Sequence, residues 1–132
     1  MPYPLLDLHV TRHIPTNAQA TNQVAMIAPF DLDIVFVETR QRVASTSGTL
    51  DVVVTNDAAA VSAGTSVLTG TISLSGTADT KISGSLKTGI GATRVNKGQA
   101  IGLLFAGTLT NLADLDITIV CRQRRKNATY PS

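Results

Sequence analysis

The segment Leu-Asp-Ile-Thr-Ile-Val-Cys-Arg at residues 115–122 decides the fold class, because its apolar and polar side chains alternate. Successive side chains of an extended strand point to opposite faces of a sheet. One face of this segment is therefore apolar and consists of Leu115, Ile117, Ile119 and Cys121. The other face carries charges such as Asp116. The pattern predicts a β-strand that buries one face in a core.

Further runs of this kind predict more strands before that segment. Residues 49–55 (TLDVVVT) place Leu50, Val52 and Val54 on one face, and residues 33–39 and 100–106 are almost continuously apolar. Shorter or more polar candidates are residues 5–12, 23–27, 66–75 and 80–87. Residues 58–63 are ambiguous, with a single helical turn as the alternative. About eight short strands between Gly, Asn, Asp and Ser turns are typical of an antiparallel sandwich or barrel.

Composition supports strands as well. Val, Ile and Thr supply 39 of the 132 residues, whereas Glu occurs once and Lys four times. β-Branched residues suit a pleated strand, and Glu and Lys are common helix formers. We therefore expect one all-β domain over residues 1–132, an antiparallel β-sandwich or jelly roll with extended terminal arms. The arms are residues 1–20, with a possible strand at 5–12, and a C-terminal tail at 123–132.

One rival architecture comes from a short repeat. Gly-Thr pairs begin at Gly64, Gly70 and Gly76, and a six-residue period can indicate a β-helix. The period is lost immediately afterwards, and a solenoid needs several complete coils to bury a core. The sandwich is therefore the preferred prediction.

Charge and aromatic content argue against nucleic acids and membranes as partners. The net charge is +2, but four of the eleven basic residues lie in one C-terminal cluster, and the remaining seven face nine acidic residues. Five aromatic residues without Trp are too few for a base-stacking platform. No apolar run approaches the roughly 18 residues of a membrane helix, and the first residues do not form a secretory signal. We expect a protein that is made in a reducing cytoplasm and not exported.

Candidate catalytic and metal-binding residues are few. His9, His13 and Cys121 could together hold a metal ion. Two Asp-x-Asp pairs could bind calcium or act as acid and base, namely Asp31/Asp33 and Asp114/Asp116. Simpler roles are favoured, because the His residues lie on an exposed strand face, Cys121 is in phase with the core, and the Asp residues begin strands. We expect no enzyme, no cofactor and no tightly bound metal, with weak calcium binding at one Asp pair as the alternative.

Four segments together form a wider pattern. They are GTLDVVVTND at 48–57, GTSVLTGTISL at 64–74, VNKGQAIGL at 95–103 and LDITIVCR at 115–122. Between residues 46 and 122 the chain thus resembles the small capsid decoration, or cement, proteins of tailed bacteriophages. In that group a strand that ends in Asn or Asp leads to a Gly-Thr-Ser-Val-Leu strand, a Val-x-x-Gly turn and a closing aliphatic strand. Gln99 is a departure, since Asp is more frequent after that turn.

The resemblance implies a virion structural protein on the outer capsid surface, made in the host cytoplasm. Its partner would be the major capsid protein, whose shell it would bind and stabilise, and it would itself form a homotrimer. Similar patterns occur in other virion parts. A phage fibre or host-surface binding module is therefore the alternative function.

The two chain ends are the predicted partner-binding segments. Extended segments can wrap a large surface, and a basic cluster adds attraction to acidic patches. The residues concerned are Tyr3, Leu5, Arg122, Arg124, Arg125 and Lys126. Self-association is expected to use uncharged sandwich surface, because residues 43–80 contain only three charges and would otherwise leave strand edges poorly protected.

Overall fold

The structure is a computed structural model that describes residues 6–56 and 58–124. Ten strands occur within these residues: β1 (Asp7–Thr16), β2 (Gln23–Ile27), β3 (Leu32–Val43), β4 (Thr49–Thr55), β5 (Thr65–Ser66), β6 (Ile72–Ser73), β7 (Lys81–Ser83), β8 (Arg94–Val95), β9 (Ala100–Ala106) and β10 (Ala113–Gln123). Two short 3-10 helices, Asn17–Gln19 and Val61–Ala63, are the helical elements of the described part.

The strands form two antiparallel five-stranded sheets. Sheet A has the order β1-β10-β3-β7, and β8 pairs with another part of β3. Sheet B has the order β2-β9-β4-β5, and β6 also pairs with β4. This arrangement confirms the predicted all-β sandwich.

The core lies between the inner faces of the two sheets. Both sheets contribute fully buried aliphatic side chains, among them Leu50, Leu103, Leu115, Ile117 and Ile119. Burial of one such side chain is worth about 1.5–3 kcal/mol relative to exposure. The alternation predicted for residues 115–122 is thus the inner face of β10, and it includes Cys121.

The predicted N-terminal arm is largely a strand of sheet A. β1 pairs with β10 from Asp7 to Thr16, so residues 7–16 are part of the sandwich. The strand ends later than the predicted range of residues 5–12, because it continues through Pro15 to Thr16. Pro15 lies between Ile14 and Thr16, which both pair with β10, and β1 is an edge strand. A proline is tolerated there when its missing N–H would point away from the neighbouring strand.

The predicted strands at 66–75 and 80–87 are much shorter than expected. Only Thr65–Ser66, Ile72–Ser73 and Lys81–Ser83 are strands in this region. Ser66 illustrates the cause, since its hydroxyl accepts a hydrogen bond from the Leu68 N–H at 3.1 Å and donates to Asp51 Oδ1 at 2.6 Å. Such local bonds satisfy the backbone without a long ladder. The ambiguous residues 58–63 do contain a helical turn, Val61–Ala63.

Candidate interaction surfaces

Charge is divided unequally between the two sheets. The strands of sheet A contain eleven Asp, Glu, Lys or Arg residues, whereas those of sheet B contain Asp51 alone. The outward side of sheet A, here called the charged face, therefore suits contact with water. The outward side of sheet B is nearly free of charge.

The charged face is covered by ion pairs between neighbouring strands. Arg122 Nε lies 3.0 Å from Asp7 Oδ1, and Arg42 Nε lies 2.5 Å from Asp114 Oδ2. His13 Nδ1 lies 2.7 Å from Asp116 Oδ1. Exposed pairs of this type contribute little to stability, because water and salt screen them. They fix the pattern of charge on this face more than they stabilise the fold.

Two groups of the charged face have shifted pKa values. The hydrogen bond with Asp116 raises the pKa of His13 above its usual value, and the negative charges of Asp116 and Asp114 act in the same direction. The hydrogen bond from Arg42 lowers the pKa of Asp114. Both shifts favour the charged forms of the two side chains.

The three residues of the predicted His/Cys metal site do not converge. His9 and His13 lie on the charged face, whereas Cys121 is fully buried on the opposite side of sheet A. Burial raises the pKa of the Cys121 thiol to about 11, so the thiolate needed for metal binding is disfavoured. Within residues 6–56 and 58–124, no group of three His, Cys, Asp or Glu side chains is placed to hold a metal ion.

Both Asp pairs bind cationic side chains of the same chain. The Arg124 guanidinium lies 3.7 Å from Asp31 Oδ2 and 3.6 Å from Asp33 Oδ1. Asp114 and Asp116 are bound by Arg42 and His13, as described above. The charge that would attract calcium is thus already compensated by protein cations.

Arg124 fastens the end of β10 to the rest of the fold. Its guanidinium donates to the Leu32 carbonyl at 3.1 Å and to Asn96 Oδ1 at 2.7 Å, and its side chain is only 20% exposed. Of the other residues predicted to bind a partner, Arg122 makes its ion pair with Asp7, and Tyr3, Leu5, Arg125 and Lys126 lie outside the described residues. Their role in partner binding stays a prediction.

A β-bulge exposes two apolar side chains on the otherwise charged face. Phe36 pairs with Val120 and Ile34 pairs with Cys121, so Val35 is an extra residue on β3. Val35 and Phe36 are both 39% exposed. Sequence alternation predicts one of them inside, and only the register of the pairing reveals the bulge.

The outer face of sheet B is half sealed by its own chain. Val53 on β4 is 1% exposed, because the segment from Val61 to Gly64 lies over it. A Cβ on Gly64 would lie 2.7 Å from Val53 Cγ2, and a Cβ on Gly102 would lie 3.0 Å from Val61 Cγ1. Glycine at these positions permits the close approach of the covering segment.

The other half of this face stays open and apolar. On β2, Val24 is 42% and Ile27 is 65% exposed. Their partners across the ladder are Gly102 and Ala100 on β9, and Leu104 lies further along the same side of β9. Gly102 itself lies under the covering segment. We call the open surface, formed by Val24, Ile27, Ala100 and Leu104, the β2–β9 face. It carries no charged residue.

A glycine-flanked loop presents one more apolar side chain. Ile90 is 100% exposed between Gly89 and Gly91, whose φ angles are +113° and +75°. Such angles favour glycine and let the chain turn sharply at this tip. A cleft of about 270 Å³ lies beside the loop and is lined in part by Gly91, Arg94 and Gln99.

The chain has few matches among known proteins. No protein-family model matches the chain, and no curated protein matches it. A solved structure described as the capsid asymmetric unit of cyanophage Pam1 is similar over 91% of this chain and 85% of that chain, with 10% identity and a TM-score of 0.47. At these values the likeness carries no argument about function. Within the described residues, no helix has the length and apolar character needed to cross a membrane.

Proposed function

We propose that this protein is a virion structural protein of a tailed bacteriophage, a decoration or cement protein. It binds the major capsid protein on the outside of the shell and stabilises the shell. Its role is non-catalytic, and the β2–β9 face is the surface that meets the shell.

The unequal division of charge between the two sheets carries this proposal. A protein that stands on a shell needs one surface for the partner and one for water. Charged residues are depleted at the centres of protein interfaces, where aliphatic and aromatic side chains become buried. The β2–β9 face has this composition, and the charged face has the composition of a surface that stays in water.

The exposure of Ile27 and Val24 adds a physical reason. Ile27 is 65% exposed, and removal of its apolar surface from water would favour binding by about 25 cal/mol per Å². Because β2 and β9 are paired strands, their side chains form a continuous surface that requires little ordering on binding. A partner surface that fits would be similarly uncharged at its centre.

The sequence resemblance to phage decoration proteins supplies the identity of the partner. The segments that carry it include β4, β9 and β10, which are long strands at the centre of the two sheets. These segments therefore support this type of sandwich. The difference in charge between the two faces supports contact with a partner on one side. A fibre or host-surface module would use the same sandwich differently, for example through the loop around Ile90.

Copy number separates the two functions. The experiment is quantitative mass spectrometry of purified particles of the phage that encodes this chain, with the major capsid protein as internal reference. A decoration protein is expected in numbers comparable with the major capsid protein. A copy number that is a small fraction of it, similar to that of tail-fibre subunits, would contradict the decoration role and favour the fibre module.

A further inference from the structure

We infer that β1 is a self-association strand, which pairs antiparallel with β1 of a second copy of this chain about a two-fold axis. The two five-stranded A sheets then become one continuous ten-stranded sheet. This inference concerns contacts between copies and does not depend on the proposed function.

The backbone geometry shows which groups of β1 face outwards. Gln123 N–H donates to the Leu6 carbonyl at 2.7 Å, and Asp7 stands opposite Arg122 in the register. Hydrogen-bonded and non-hydrogen-bonded pairs alternate along an antiparallel ladder. The odd-numbered residues from Asp7 to His13 therefore point their N–H and C=O groups away from β10, towards the open edge of the sheet. Within the described part of the chain, no strand pairs with this edge.

The neighbouring edge strand is protected, and the contrast is informative. β2 lies at the end of sheet B next to β1, and its ladder is interrupted by a bulge at Ala25. The Arg12 guanidinium donates to the carbonyls of Val24 and Ala25 at 2.7 Å and 3.1 Å. A bulge and a capping cation are known devices against edge pairing. β1 has ten residues and no register shift against β10, so it is the longer and more regular template.

Charge complementarity favours a second copy of this chain as the partner at the open edge of β1. It also favours one register of the pairing. In two-fold pairing centred on Val10, Asp7 stands opposite His13 of the second copy, and His9 stands opposite Thr11. Each Asp7 already has Arg122 beside it, and each His13 has Asp116 beside it. The row across the new interface would then run Arg122, Asp7, His13, Asp116, with alternating signs when His13 is protonated. Shifting the centre by one residue to Thr11 places His9 opposite His13, which is less favourable.

The pairing adds contacts without disturbing the fold. Four residue pairs with two backbone hydrogen bonds each would add about eight bonds. Because the two-fold axis is perpendicular to the sheet, both charged faces lie on one side of the dimer. Both β2–β9 faces lie on the opposite side, so two copies could bind one flat partner surface together. A two-fold contact closes on two copies, so this inference sets a dimer against the homotrimer that the sequence resemblance implies.

The test is the mass of the free protein in solution and in edge variants. Wild type is expected to be a dimer by sedimentation at about 10 µM, a concentration at which modest affinity suffices. Thr11→Pro should be a monomer that still unfolds cooperatively, because the lost N–H points to the open edge. Thr11→Val keeps that N–H and should stay dimeric. A wild-type monomer or trimer, or a Thr11→Pro dimer, would overturn the inference.

A charge exchange tests the register. It also distinguishes the loss of pairing from a folding defect. His13→Asp should weaken the homodimer at least tenfold, because two carboxylates then face each other. Asp7→Lys should do the same at a pH at which His13 is protonated, because two cations then face each other. When the two variants are mixed, the introduced lysine of one stands opposite the introduced aspartate of the other, so the mixture should restore the dimer as a heterodimer. Two variants that dimerise as wild type does, or a mixture that stays monomeric, would contradict the register.

Discussion

The outer faces of the two sheets differ in how each is completed. On the charged face, cations and carboxylates on β1, β10 and β3 form ion pairs with each other across the strands. The face of sheet B is completed by its own chain over β4 and is left apolar over β2 and β9. The two outer faces thus differ in what covers them: ion pairs cover the face of sheet A, and close packing covers only half of the face of sheet B. Close packing protects half of sheet B, and the open half is the place where we propose that another protein binds.

The largest expected effect on stability comes from a substitution that displaces the segment from Val61 to Gly64 from its place over sheet B. Gly64→Val should lower the free energy of unfolding by about 2–3 kcal/mol, because the new side chain overlaps Val53 and Thr55. Gly70→Val is the matched control, since a Cβ at Gly70 meets nothing within 4 Å. Urea unfolding measures both. Equal stability of the two variants would show that the segment from Val61 to Gly64 does not pack on β4.

A smaller effect, of opposite sign, is expected inside sheet A. Gln41 is fully buried, and among the described residues neither its Nε2 nor its Oε1 has a hydrogen-bond partner. An unsatisfied buried polar group costs about 1–3 kcal/mol. Gln41→Met keeps the shape and should therefore stabilise the protein by about 1 kcal/mol.

Gln41→Ala tests whether the change in stability comes from the loss of the polar amide or from the shape of the side chain. It removes the same amide but leaves a cavity, so it should be less stable than Gln41→Met. A loss of stability in Gln41→Met would mean that the amide makes bonds that an apolar side chain cannot replace.

The smallest expected effect is a pH dependence of the charged face. The folded pKa of His13 is raised, so its contribution to stability is fully present below pH 6.5 and is lost as the pH rises through the folded value. Asp114 has a lowered pKa, so its contribution is present above pH 3.8 and is lost as the pH falls. Thermal unfolding between about pH 5.5 and 8.5 should show a slight decrease in midpoint with rising pH, and Asp116→Asn should reduce it. An unchanged slope in Asp116→Asn would contradict the assignment to His13.

The strands with strict alternation could be predicted from the sequence. Leu115 to Cys121 shows the core face directly, because burial on one side of a strand leaves a period of two. The end of β1 could not be predicted in this way, since the effect of Pro15 depends on which side of the strand its missing N–H faces. That side is fixed by the pairing with β10, about a hundred residues away in sequence.

The interaction surfaces were harder to foresee than the strands. Arg124 and Asp31 are ion-pair partners, whereas the sequence predicts Arg124 as a partner-binding residue of the C-terminal tail and offers calcium only as the alternative at Asp31. The exposure of Phe36 depends on a bulge, which is a property of the register and not of local composition. Residues 43–80, the stretch with low charge, include β4, β5 and β6 of sheet B, and the segment from Val61 to Gly64 covers part of it. Self-association through this stretch stays a prediction. The open surface lies on β2 and β9 instead.

The central claim is that the β2–β9 face binds the shell, and matched aspartate substitutions on the two faces test it most directly. Val24→Asp and Val35→Asp place a charge at side chains of nearly equal exposure, 42% and 39%, on opposite faces. Binding of each purified variant to particles that lack the protein gives the affinity, and unfolding curves check that both variants fold. The account predicts that Val24→Asp weakens binding at least tenfold, about 1.4 kcal/mol or more, whereas Val35→Asp binds like wild type. Loss of binding in Val35→Asp with wild-type affinity in Val24→Asp would contradict it.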